Sequence, residues 1–316
     1  MPTSSCSIEI PVSYETLNLP HVKISHHPGG TSTATPVMIL TLNRPEKYNA
    51  FTSEMANSLT EAYNIFNVDS RVKVVVLTGA GRMFCAGSDL DVGFGDGQGS
   101  AVEFRDMSVV PGGRVALAMH RCHKPTIAAL QGSAVGVGMT MTLPAAVRIC
   151  HEKSKYGFVF TRRGLTIESC ASYFLPRLVG YSRAMHLITT GAVYPPSRKY
   201  FGDLFTEVLP DSGQVLIRAL EMAEDMAKNV SPLASSMSRA LMWRGPGSPE
   251  EAHLLESRIF HHMIGQKDYK EGVNAFLEKR SPRFEVDPGE KSAPSYPWWP
   301  STDIALGPIV LKPSKL

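Results

Sequence analysis

The chain of 316 residues is short of several things that would settle a function at once. No apolar stretch approaches the roughly 20 residues needed to span a bilayer, so no membrane span is expected. The cysteines are Cys6, Cys85, Cys122, Cys150 and Cys170, an odd number at wide spacings without a CxxC. That excludes a disulfide framework and reads as reduced thiols in an intracellular protein. The first residues, MPTSSCSIEIPVSYE, lack the basic and apolar regions of a secretory signal. A formal charge of +3, with no basic run and no interleaving of aromatic and basic residues, argues against a nucleic-acid partner. It would suit an anionic small ligand.

Several catalytic signatures are missing too. There is no G-x-S-x-G for a serine hydrolase and no G-K-[ST] for a P-loop. His120, Cys122 and His123 lie close together but have no second ligand pair, and the adjacent histidines 26–27 and 261–262 point apart on any regular element, so no metal is expected. Gly79-x-Gly81 and Gly136-x-Gly138 look like dinucleotide turns. Their third glycine positions hold Phe84 and Met141, which leaves no nicotinamide site.

What remains is a globular composition, 43% hydrophobic and 19% charged, with alternating strand and helix patterns. VMILTLN (37–43) reads as a strand, and residues 52–67 as a helix with Met55, Leu59, Ala62, Tyr63 and Phe66 at helical spacing. VKVVVLTG (72–79) is too continuously apolar for a half-exposed strand and reads as buried on both faces. Further strands are expected at 125–132, 146–152 and 154–158, and one within the polar residues 1–36. Residues 91–115 are glycine-rich and read as a loop. From about 182 the pattern turns helical, with Gly191 closing one helix and Ser248, Pro249 and Glu251 opening another as a capping box. The class is therefore α/β, with no short internal repeat.

Two turns and one carboxylate carry the chemistry. RMFCAGSDL (82–90) and GSAVGVGMT (132–140) each follow a strand and place small residues where a sharp bend exposes backbone N–H groups. Singly, each is an ordinary strand-to-helix turn; converging, they would form an oxyanion hole. In RRGLTIESCASYF (162–174) the one carboxylate is Glu168, which by local sequence alone is a charge at the start of a helix.

Taken in order, TLNRPEKYNAF, FCAGSDL, HKPTIAALQGSAVGVGMTM and AFLEKR resemble the motifs of the crotonase superfamily, the enoyl-CoA hydratase/isomerase fold, over about residues 37–284. The resemblance implies a crotonase (ClpP/crotonase-like) spiral of ββα units at 37–211 and a helical trimerisation region at 212–281. An N-terminal extension at 1–36 and a Pro/Ser-rich tail at 282–316 would flank them. It implies a homotrimer or homohexamer, an acyl-CoA substrate, and no cofactor beyond the coenzyme A of that substrate. The N–H groups of Ser88 and Val137, the latter just after Gly136, would hold the thioester oxygen as it becomes an enolate. Coenzyme A would lie along Ala86, Asp89 and Leu90, with Lys47 and Lys279 toward its phosphates and Phe276 nearby.

The sequence departs from the hydratase pattern. The two positions at which a hydratase of this family carries glutamates hold Thr140 and Phe160 here. Glu168, eight positions after Phe160, matches the single glutamate of Δ3,Δ2-enoyl-CoA isomerases of peroxisomal type. Shifting a double bond needs one proton shuttle, and an apolar wall of Phe158 and Phe160 would raise the pKa of Glu168 for that task. The leading expectation is an acyl-CoA isomerase. A hydratase or dehydratase on a branched or hydroxylated acyl-CoA, and a non-catalytic CoA-binding subunit, are the alternatives. The sequence ends in Ser314, Lys315 and Leu316, the address read by the peroxisomal import receptor, so a peroxisomal location is expected.

Overall fold

The continuously apolar run around residue 76 lies third in a six-stranded sheet in the computed structural model, which describes residues 8–91, 110–289, 293 and 296–302. In chain order the strands are β1 (Val22–His27), β2 (Val37–Leu42), β3 (Val74–Gly79), β4 (Thr126–Leu130), β5 (Ala134–Val135), β6 (Val147–His151), β7 (Tyr156–Gly157), β8 (Val193–Tyr194) and β9 (Glu207–Leu209). The helices are α1 (Ser53–Val68), α2 (Pro111–Arg121), α3 (Val137–Thr140), α4 (Ala171–Val179), α5 (Tyr181–Thr190), α6 (Ser212–Asn229), α7 (Pro232–Arg244), α8 (Pro249–Ile264) and α9 (Lys267–Leu277).

The large sheet runs β1-β2-β3-β4-β6-β9. Its neighbours are parallel except for β1, which pairs antiparallel with β2 from Val22 opposite Leu42 to His27 opposite Val37. Because side chains alternate along a strand, its two faces build different cores. Val37, Val74, Val76, Ile127, Ala129 and Ile149 meet Val215, Ala219, Ala223 and Ala227 of α6, a stripe at every fourth residue whose small side chains let the helix sit close. Met38, Leu40, Val75, Leu77, Ala128 and Leu130 face the other way, toward Leu59, Tyr63 and Phe66 of α1. All six residues of β3 are buried, as a strand covered on both faces requires. The segment 212–281 therefore divides: α6 covers the sheet, while α8 and α9 bury little and leave Leu254, Phe260, Phe276 and Leu277 exposed.

Ser248 caps α8 by accepting the Glu251 N–H, and Gly191 closes α5 in the left-handed region. One expectation is corrected. The glycine-rich loop expected to 115 ends sooner, because Pro111 takes the first position of α2 and Gly112, Gly113 and Arg114 are helical. Residues 92–109, Cys6 and the tripeptide Ser314, Lys315 and Leu316 lie outside the described residues. Among the described residues no helix is long and apolar enough to cross a membrane.

Candidate active site

A second, small sheet, β5-β7-β8, brings the two glycine turns together. Cys85 forms a parallel bridge with Ala134, and the Val135 N–H donates to the Cys85 carbonyl at 3.1 Å. From this register the two chains advance in step: two residues on come Gly87 and Gly136, and one further come Ser88 and Val137. Both glycines have positive φ, 92° and 56°, and Gly136 combines it with ψ −126°, a conformation open only to glycine. A Cβ on Gly136 would lie 3.9 Å from the Gly87 Cα, so the turns touch. The N–H groups of Ser88 and Val137 meet no acceptor among the described residues. Val137 opens the one-turn helix α3, where the first amides have no intrahelical partner.

The segment 44–51 holds the first turn from behind. Phe51 donates to the Gly87 carbonyl at 2.8 Å and accepts from the Asp89 N–H at 2.9 Å, while the Ala86 N–H donates to Tyr48 at 3.1 Å. Asn49, fully buried and left-handed at φ 55°, accepts from the Arg44 N–H and donates to the carbonyls of Ala80 and Met83, each at 2.8 Å. Arg44 bonds the Asp89 carboxylate at 2.9 Å and the Ala50 carbonyl at 2.7 Å. That hydrogen-bonded ion pair keeps the Asp89 carboxyl below its ordinary range.

Glu168 precedes α4, in a turn that the Ala171 N–H closes on the Glu168 carbonyl at 3.1 Å. Ser169 and Cys170 within it are left-handed at φ 56° and 57°, a strain of about 1–3 kcal/mol per residue that tends to gather at functional sites. The carboxylate is fixed at both oxygens: Thr140 Oγ1 donates to Oε1 at 3.1 Å and Ser169 Oγ to Oε2 at 2.7 Å. Gly112, in the first turn of α2, packs directly on it, and a methyl there would overlap Oε2 and Ser169 Oγ. Burial raises the pKa of Glu168, opposed by the two hydroxyl donors. Thr140 stands one turn after Val137 on α3, so one short element carries both an unpaired amide and the hydroxyl that holds the acid.

Phe160 is buried with its ring tip 4.0 Å from a Cβ position on Gly136, and Phe158 is fully buried. The structure thus gathers Ala86, Ser88, Gly136, Val137, Thr140 and Phe160 around the touching turns, with Glu168 tied in through Thr140. Asp89 is spent on Arg44, Leu90 is exposed, and Lys47 pairs with Asp91 at 2.9 Å near the surface. Phe276 is 82% exposed on α9. Lys279 lies just beyond, left-handed at φ 54° in the helix-closing turn where glycine is usual. Neither is joined to Lys47 or Asp89 by a hydrogen bond or ion pair among the described residues. Arg44, Asn49, Gly112 and Ser169 belong to the site without an obvious local signal. The nearest to one is Gly112 behind Pro111, since glycine in a helix costs about 1 kcal/mol and a side chain at 112 would overlap Glu168.

Comparison with known proteins bears on the same segments. The family model described as enoyl-CoA hydratase/isomerase matches residues 32–287. Enoyl-CoA hydratase AFT3-1 of Alternaria alternata is 44% identical over 259 residues, covering 82% of this chain and 86% of that one. The 1,2-epoxyphenylacetyl-CoA isomerase of Escherichia coli (strain K12) is 32% identical over 254 residues, 78% of this chain and 94% of the other. The crystal structure of enoyl-CoA hydratase from Bacillus anthracis superposes with a TM-score of 0.72 at 27% identity, over 84% of this chain and 99% of that one. With the paired glycine turns, the parallel sheet and this match over most of its length, the chain belongs to the enoyl-CoA hydratase/isomerase family of the crotonase superfamily.

Proposed function

We propose that the protein is an acyl-CoA isomerase that moves a double bond from Δ3 to Δ2 with Glu168 as its one acid/base. The observation that carries the proposal is the Thr140 hydroxyl on Glu168 Oε1, standing where a hydratase of this family would carry a glutamate of its own. Glu168 takes a proton from carbon 2. The electron pair moves into the thioester carbonyl, and the amides of Ser88 and Val137 hold the resulting dienolate oxygen. The same carboxyl then returns the proton at carbon 4, leaving the double bond between carbons 2 and 3. A raised pKa suits a group that must act as base and then as acid.

Coenzyme A lies along Ala86 and Leu90 in this proposal, with Lys47 and Lys279 toward its phosphates. The left-handed backbone of Lys279, unusual for a lysine, supports a use for that side chain. Exposed Leu254, Phe260, Phe276 and Leu277 on α8 and α9 support assembly through these helices into a homotrimer or homohexamer.

The test is formation of the conjugated product from a 3-enoyl-CoA by Glu168→Ala and Glu168→Gln. Loss in both supports the shuttle, and full rate in both ends it. A second reading, addition or removal of water with Glu168 acting on a bound water, is favoured by the name hydratase borne by the Alternaria relatives at 43–44% identity. Oxygen from labelled water at carbon 3 of the product would select it.

A further inference from the structure

Beside the Glu168 turn lies a cavity of about 1080 Å3, bordered by Cys170, by α2 and α7, and by the segment 296–302. Three arginines line it, Arg121, Arg239 and Arg244, and no carboxylate stands among its described lining residues. Arg239 Nη1 is engaged by the carbonyls of Cys122 and His123 at 3.2 Å, and Arg244 lies over the Trp299 ring at 4.5 Å. Arg121 is exposed and has no hydrogen bond or carboxylate partner among the described residues. Nδ1 of His120, between the rings of Phe174 and Trp243, is buried with no hydrogen-bond partner among the described residues. Burial and the neighbouring Arg244, Arg239 and Arg121 lower its pKa to about 4, so the imidazole is neutral. Arg239 and Arg244 are partly withdrawn from water, which is costly without an anion, and arginine forks match a carboxylate.

Helix α2 borders both the cavity and the Glu168 carboxylate. Gly112 packs on the Glu168 carboxylate, and the next face of the helix carries Gly113, Leu117, His120 and Arg121, spaced by four, three and one. A Cβ on Gly113 would meet nothing within 4 Å. From Gly113 to Arg121 the helix rises about 12 Å. An extended chain covers three bonds in about 3.5 Å, so that span takes roughly ten carbon–carbon bonds.

Resting on the acyl-CoA proposal above, we propose that this cavity receives the distal end of the acyl group and that the preferred substrate ends there in a carboxylate. The substrate class is the half-thioester of a dicarboxylic acid, with its free carboxylate held by Arg121 and Arg244. The aromatic rings of Trp243 and Trp299 cover the methylene chain.

The inference is tested by calorimetry on the intact protein with two saturated ligands of about 14 carbons: tetradecanoyl-CoA and the CoA half-thioester of tetradecanedioic acid. Neither can be turned over. The half-thioester should bind at least tenfold more tightly. Arg121→Gln and Arg244→Gln should each remove several-fold of that preference and leave tetradecanoyl-CoA unchanged. Arg121 is exposed and unpaired, so its variant is expected to fold. Equal binding of the two thioesters, or equal weakening of both by the variants, overturns the inference while sparing the acyl-CoA proposal. Binding of neither overturns that proposal as well. Free tetradecanedioate binding as tightly as its half-thioester would make the cavity a carboxylate site unconnected with the substrate, which also overturns the inference.

Discussion

The two sides of the candidate site are held by different kinds of interaction. The amide side is backbone fixed by backbone: Cys85 pairs with Ala134, Phe51 clasps residues 87 and 89, and two glycines at positive φ shape the turns. The acid side is one side chain fixed by two hydroxyls and a close glycine. A backbone-held donor tolerates side-chain change at 88 or 137, provided that proline is avoided. A carboxylate held by side chains can be retuned by single substitutions. One half is thus suited to fixed transition-state binding and the other to adjustment of proton affinity.

Substitutions sharpen the contrast. The largest effect is expected for Glu168→Gln, a loss of about 10²–10⁴ in kcat on a 3-enoyl-CoA, measured by absorbance of the conjugated thioester. Gly136→Ala comes next. Forcing a Cβ into φ 56°, ψ −126° should twist the Val137 amide and cost about 10²–10³ in kcat, while coenzyme A binding by calorimetry stays near that of the parent. Gly112→Ala pushes on the carboxylate and leaves both amides in place. Its loss should reach up to about 10²-fold, the scale of an ångström of misplacement.

Thr140→Val should cost least at the plateau and most in pH dependence. The lost hydroxyl favoured the ionised acid, so the pKa of Glu168 rises further and the acidic limb of kcat/KM moves to higher pH. A limb that stays in place in a pH–rate profile would separate Thr140 from the acid. Glu168→Gln carries a stability signature as well. A carboxyl whose pKa is raised by folding makes the folded state bind more protons above the ordinary 4.5, and stability falls as pH rises through that window. The variant should therefore melt above the parent at pH 7, with the gap closing toward pH 4 in thermal scans.

The same division decides what could be read from the sequence. Strands β2, β3, β4 and β6 and helices α1, α5, α6, α8 and α9 follow from apolar periodicity and caps, because burial on a sheet or helix face acts over neighbouring residues. The glycine turns are visible because strained backbone needs glycine. Arg44 and Asn49 are not, since their partners Asp89, Ala80 and Met83 lie more than 30 residues away. Gly112 could not be placed on Glu168 for the same reason, and a loop assignment through 115 concealed the helix that brings it there. Asp89, expected beside coenzyme A, has its carboxylate turned to Arg44, a pairing that no spacing rule foretells.

In the proposed reaction one carboxyl moves one hydrogen across the face of a dienolate held by two amides. A single turnover of a 3-enoyl-CoA carrying deuterium at carbon 2 tests it most directly. The expected result is a conjugated product with deuterium at carbon 4 and no transfer by Glu168→Gln. Deuterium released wholly to water, together with solvent oxygen at carbon 3, would contradict it.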